Sequence, residues 1–156
     1  MKRTIESIDV SLDTPVHGWS AIRIGDEASI RLSYVQDVPY LVEEAALNWL
    51  ADLDGHVEFD GEDETWDMHL PAGDGTVSLT DPDGDPCATS IPTKVMLLQL
   101  VDGMLSDARG WAIWSSTFDD ALEPDAPLEA WNHHIDGKAD ELARSLKELR
   151  DRLAAA

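Results

Sequence analysis

Across residues 32 to 93 there is no lysine and no arginine. Nucleic acid binding is therefore not expected, because its phosphates need clustered cations. Anionic membrane surfaces are excluded for the same reason. The chain holds a single cysteine, Cys87, so no internal disulfide can form, and a reducing cytoplasm is the expected compartment. No apolar run approaches the roughly 18 to 20 residues that span a bilayer. The opening MKRTIESIDV has basic residues but no apolar stretch behind them, so it does not read as a signal peptide. Internal repeats and low-complexity linkers are missing too. So are GxGxxG, GxxxxGK[ST], GxSxG and HExxH, and with them the commonest nucleotide, esterase and zinc-protease signatures.

What is present is acid. The net charge is −21 and the pI about 4.2. The cation-free span alone carries Asp37, Glu43, Glu44, Asp52, Asp54, Glu58, Asp60, Glu62, Asp63, Glu64, Asp67, Asp74, Asp81, Asp83 and Asp85. From Asp136 to Asp151, by contrast, acids and bases alternate as on an ordinary exposed helix. A purely compositional bias would spread more evenly, so the asymmetry points to an acidic face. The 43% hydrophobic content and six tryptophans are enough for a core. The length, 156 residues, fits one domain spanning 1 to 156.

Hydrophobic periodicity predicts the elements. Residues 5 to 12 end in an alternation that puts Ile8, Val10 and Leu12 on one buried face. Residues 19 to 24 and 28 to 35 read as a hairpin across Gly25-Asp26-Glu27, with Ile30, Leu32 and Tyr34 sharing a face. A helix follows, capped by Asp37 with Pro39 in its first turn; Val38, Leu41, Val42, Ala45 and Trp49 form its stripe and Glu43 faces out. Three strands then form a meander. Val57, Phe59, Trp66, Met68, Leu70, Val77 and Leu79 line its inner face, and its outer face carries Glu58, Asp60, Asp67 and His69. Residues 81 to 86, DPDGDP, are a loop. A helix apolar nearly all round starts near Pro92, WAIWSSTF at 111 to 118 fits either a strand or a helix, and the last helix runs from about 138 to 154. Leu142, Leu146, Leu149 and Leu153 fall in one line on it. They span fewer than two heptads, so they pack on the chain's own sheet rather than form a dimer seam. The expected fold is α+β: one antiparallel sheet of about five or six strands with helices packed mainly on one face.

The chemistry candidates are thin. An EF-hand loop needs glycine sixth and glutamate twelfth; from Asp52 the sixth residue is Val57, and from Asp81 the sixth and twelfth are Pro86 and Pro92. His133 and His134 are adjacent, so on a helix they point about 100° apart and do not chelate one ion. Cys87 as a nucleophile needs an imidazole base, for which His69 is the sequence candidate. No catalytic residue, metal or cofactor is assigned.

The order of elements resembles a family of small acidic bacterial proteins, often actinobacterial. Its members show a strand ending in Ser-Tyr, an acidic residue, an apolar helix, and a short acidic segment with tryptophan before a meander. Ser33, Tyr34, Asp37, the helix to Leu50, and Glu62 to Trp66 stand in those places, within residues 28 to 105. That resemblance implies an α+β fold and no activity. The build and acid bias are also similar to immunity proteins that neutralise bacterial toxins. The expected function is therefore non-enzymatic capture of a basic protein by Glu58, Asp60, Glu62, Asp63, Glu64, Asp67 and His69, with Trp66 in the core. The alternatives are a solubility-tuned accessory domain of a salt-rich cytoplasm, and a ligand binder or enzyme with a pocket between sheet and helices.

Overall fold

The computed structural model describes residues 3–119 and 122–156. Among them the chain order is β1 (Arg3–Ile5), β2 (Val10–Leu12), β3 (Trp19–Ile24), β4 (Ala28–Ser33), α1 (Val38–Leu50), β5 (Gly55–Asp60), β6 (Thr65–Leu70), β7 (Thr76–Thr80), β8 (Pro86–Pro92), α2 (Thr93–Leu105), α3 (Ala108–Ser116) and α4 (Leu128–Ala155). The α+β class holds, but the single antiparallel sheet does not. The strands form two sheets, a five-stranded one in the order β1-β8-β7-β6-β5 and a three-stranded one in the order β2-β3-β4. The larger sheet is mixed, because β1 runs parallel to β8.

The first strand is where the one-sheet expectation fails. Residues 5 to 12 do not run straight. The chain leaves β8 after Ile5, crosses to the smaller sheet, and rejoins a ladder at Val10. The crossing is held by Glu27, whose carboxylate accepts the backbone N–H groups of Glu6 at 2.9 Å and Ser7 at 3.0 Å. Ile8, expected inside, lies in this crossing and is 54% exposed.

Alternation dictates the larger sheet. Val57, Phe59, Trp66, Met68, Leu70, Val77 and Leu79 are all buried on one face, and β8 adds Cys87, Thr89 and Ile91. Helices α1 and α2 cover that face, and α4 packs outside them against α1, α2 and α3. The smaller sheet contributes Ile22, Ile24, Ile30 and Leu32 to the same hydrophobic cluster. Both sheets therefore share one core.

Free strand edges invite unwanted pairing, and two glutamines occupy them. Gln36 donates to the Glu58 carbonyl at 2.7 Å and accepts from the Asp60 N–H at 2.8 Å, along β5. Gln99 accepts from the Val10 N–H at 2.7 Å, along β2. Helix α1 starts as expected, with Asp37 accepting from the Tyr40 N–H and, at 2.7 Å, from the Ser115 hydroxyl. Residues 111 to 118 resolve as helical over Ala108–Ser116, and α4 begins at Leu128 rather than near 138.

Candidate functional site

The acidic segment between β5 and β6 is a built turn. Gly61 N–H donates to the Glu64 carbonyl at 2.8 Å, closing the strands. Asp60 accepts from the Glu62 N–H at 2.8 Å, an Asx-type bond that shapes the loop. Glu62 takes a left-handed backbone, φ 74°. Its carboxylate accepts from the fully buried Ser33 hydroxyl at 2.5 Å. Asp63 pairs with Arg31 at 2.6 Å. Glu64 turns towards the outer side of the small sheet, beside Trp19 and Arg31.

These contacts split the seven expected site residues. Glu58, Asp67 and His69 stand on the outer face of the large sheet. Glu62, Asp63 and Glu64 lean onto β4 instead, and Asp60 is half-buried between the two groups. Glu58 faces Asp67 directly across β5 and β6. Like charges so placed repel, and His56, 3.4 Å from Asp67, is the neighbour that offsets it.

The meander adds acids that sequence position alone does not associate with this loop. Because β5 to β8 are joined by successive hairpins, loops 61–64 and 81–85 fall at the same end of the sheet. Glu58 and Asp67 sit near that end, in register with Thr80 and Pro86. The acidic end thus combines the 58–67 acids with Asp81, Asp83 and Asp85. The hairpin count along the meander was the signal that could have joined them. The three loop aspartates each bring an oxygen within 4.8 Å of the others. Asp81 already accepts from the Asp83 and Asp85 N–H groups at 2.9 Å each, so the cluster is explained as a turn.

The next row of the same outer face differs. In the row through Thr4, Ala88, Ser78, His69 and His56 there is no carboxylate. At the far end Asp54 accepts from the Ala72 N–H at 2.8 Å and meets His69 at 3.4 Å. The Ala72 bond first, and His69 second, hold the Asp54 carboxyl below its ordinary range.

Other candidates fall apart on geometry. Cys87 points into the core and accepts from Arg3 Nε at 3.2 Å, whereas His69 points out, so the sheet itself separates them. His134 binds Asp119 at 2.9 Å, while Asp136 binds Arg109. The two adjacent histidines thus serve different surroundings: His133 is exposed and His134 is half-buried.

One feature was not foreseen. A recess of about 300 Å³ opens between α1, α3 and α4, lined by Asp37, Glu43, Ser115, Lys138 and Ser145 among others. Glu43, expected in solvent, is half-buried there and accepts from the Ser145 hydroxyl at 3.4 Å. Burial, and secondarily nearby Asp37, push its carboxyl above the usual range, against the lowering effect of Ser145. Among the described residues no imidazole lines the recess to activate either hydroxyl. A raised folded-state value means the native chain holds this proton more tightly than the unfolded chain. The associated stability is present at low pH and lost as pH rises through the raised value. Glu43→Gln should therefore melt above the parent at pH 7, and the gap should close near about pH 4. A gap of the opposite sign at pH 7 would mean that the Glu43 carboxylate is stabilising where it sits.

Asp63 is paired with an arginine, but at Glu58, Asp74 and Asp83 no lysine or arginine lies within ion-pair distance among the described residues. Their repulsion is screened over roughly 10 Å at 0.1 M salt. Raising salt from about 10 mM to about 500 mM should stabilise the fold by about 1 kcal/mol, a rise in Tm of roughly 2–4 °C. A flat or falling Tm would show that the acids are already compensated.

No helix among the described residues is long and apolar enough to cross a membrane. No protein-family model matches the chain, and neither the curated proteins nor the solved structures contain a match to it.

Proposed function

We propose that this chain is a non-catalytic protein-binding domain whose acidic sheet end occludes a basic surface on a partner, in the manner of an immunity or antitoxin protein. The observation that carries the reading is the uneven charge on one solvated face. Glu58, Asp67 and two acidic loops crowd one end, while Thr4, Ser78, Ala88 and Ser90 occupy the exposed strands beyond and Asp54 at the far end is held by the Ala72 N–H and His69. Adaptation to salt would coat that face evenly. A concentrated negative potential steers a positive partner and raises its association rate. A toxin that acts on nucleic acid carries such a basic groove. The compartment that suits both partners is the cytoplasm, where the lone thiol stays reduced.

The test is affinity capture on the immobilised chain at low and high salt. Basic proteins should be retained at low salt and released as salt rises. Retention of neutral or acidic proteins, indifferent to salt, would remove the basis of the reading.

A further inference from the structure

Six large apolar side chains, Val16, Trp19, Tyr34, Val35, Ile113 and Phe118, remain between 42% and 58% exposed. Two of them, Tyr34 and Ile113, wall one groove of about 500 Å³ between α3 and the tip of a small hairpin, together with Gly18 and Trp114, whereas Val16 and Trp19 line a separate recess beside Arg31. The hairpin tip is a two-residue turn. Val16 and Trp19 exchange both backbone hydrogen bonds, at 2.9 and 3.0 Å, around His17 and Gly18, which take φ 51° and 81°. Positive φ at both central residues fits a type I′ turn. Gly18 is also needed for space, since a Cβ there would lie 2.7 Å from the Tyr34 ring. The wall of the groove is thus held in place by backbone.

The groove adjoins the acid. Residues 33–37 form the strip between them. On one side Ser33 holds Glu62 and Gln36 holds the backbone of Glu58 and Asp60. On the other side Trp114 Nε1 donates to the Gln36 carbonyl at 2.8 Å and Ser115 donates to Asp37. Exposed Tyr34 and Val35 lie on this strip. An apolar centre beside charged groups is the composition of an interface hot spot with its rim.

We propose that the groove receives one apolar or aromatic side chain from a partner segment whose flanking lysines and arginines meet the acidic sheet end. The proposal rests on the protein-binding reading above and adds where the partner's anchor sits. Charge selects the occupant. A second copy of this chain would bring −21 against −21, and a neutral apolar segment would gain nothing from Glu58 and Asp83, at which no lysine or arginine lies within ion-pair distance among the described residues. A segment that is both apolar and basic satisfies both halves of the surface.

The experiment is selection of a random-peptide display library on the folded chain at low salt, followed by titration of the enriched peptides. The enriched peptides should combine a tryptophan, phenylalanine or leucine with arginine or lysine. Tyr34→Ser with Ile113→Ser should weaken them at least about tenfold, as loss of a hot-spot wall does, with an unchanged Tm. If the double variant melts lower, Ile113→Ser alone is titrated, since that side chain is half-exposed on a helix. Enrichment of basic peptides that bind the variants equally well would overturn the groove and leave acidic capture standing. Enrichment of neutral apolar peptides, or of no peptides, would overturn both. A dimer in sedimentation that Ile113→Ser dissociates would assign the groove to a second copy and overturn the proposal.

Discussion

Trp66→Ala should lower the unfolding free energy by roughly 3 to 5 kcal/mol, the cost of truncating a large core side chain. Trp66 sits in the acidic sequence GEDETWD, which on composition alone reads as solvated surface. Its burial follows from alternation. It shares a face with Met68 and Leu70 on β6, stands opposite Phe59, and is only 6% exposed. The long Arg3 side chain reaches from β1 to bring its guanidinium 5.9 Å from the ring centroid. Removing it would leave a cavity directly beneath the acidic loop. Chemical denaturation of the two proteins measures the effect. A loss below about 1 kcal/mol would mean that the site collapses or that the ring is not packed as described. Partner binding should be lost only to the extent that the variant is unfolded.

Reversing two acids at the sheet end should do the opposite, leaving the fold and removing the partner. Glu58→Lys with Asp83→Lys is the informative pair. Both side chains are exposed, and neither carboxylate accepts a hydrogen bond among the described residues. Lysine at 58 would face Asp67 across the strands, turning a repulsive pair into an attractive one. The melt should therefore hold or rise. Association with a captured basic partner should slow by roughly 10- to 100-fold, because steering depends on the summed field. The two positions lie in different hairpins and meet only through the meander, so a joint effect reports on the assembled end. Asp60 and Asp63 are unsuitable for the same test: one shapes the loop through the Glu62 N–H and the other is tied to Arg31. An unchanged association rate would reduce the acidic end to solvated surface.

Much of the local structure was legible. Asp37 and Pro39 mark the start of α1 because capping and fixed φ act over a few residues. The meander is visible because its inward and outward positions differ sharply in polarity. The misses have physical causes of two kinds, local and long-range. β8 reads PCATSIP, bounded by prolines and with Thr89 on the inner face, so its alternation is weak; the threonine is tolerated because its hydroxyl donates to the Val77 carbonyl at 2.6 Å. Extending the β4 alternation past Ser33, where the strand ends, groups Tyr34 with buried Ile30 and Leu32, whereas Tyr34 is 48% exposed. Glu43 faces away from the apolar stripe of α1, which on sequence alone means solvent. The structure packs α3 and α4 on that helix as well, and Ser145 approaches from 102 residues away.

By itself, then, the sequence determined the acid total, the absence of any lysine or arginine from residues 32 to 93, the inward and outward faces of β5, β6 and β7, and the burial of Trp66. These follow from side-chain polarity and a period of two, which need no knowledge of distant contacts. Only the tertiary structure decided that the strands divide between two sheets, that loops 61–64 and 81–85 share one end, and that an apolar groove lies beside them. Each of those depends on which segment pairs with which across long stretches of chain. That choice is made by burying one common core, and no local pattern encodes it.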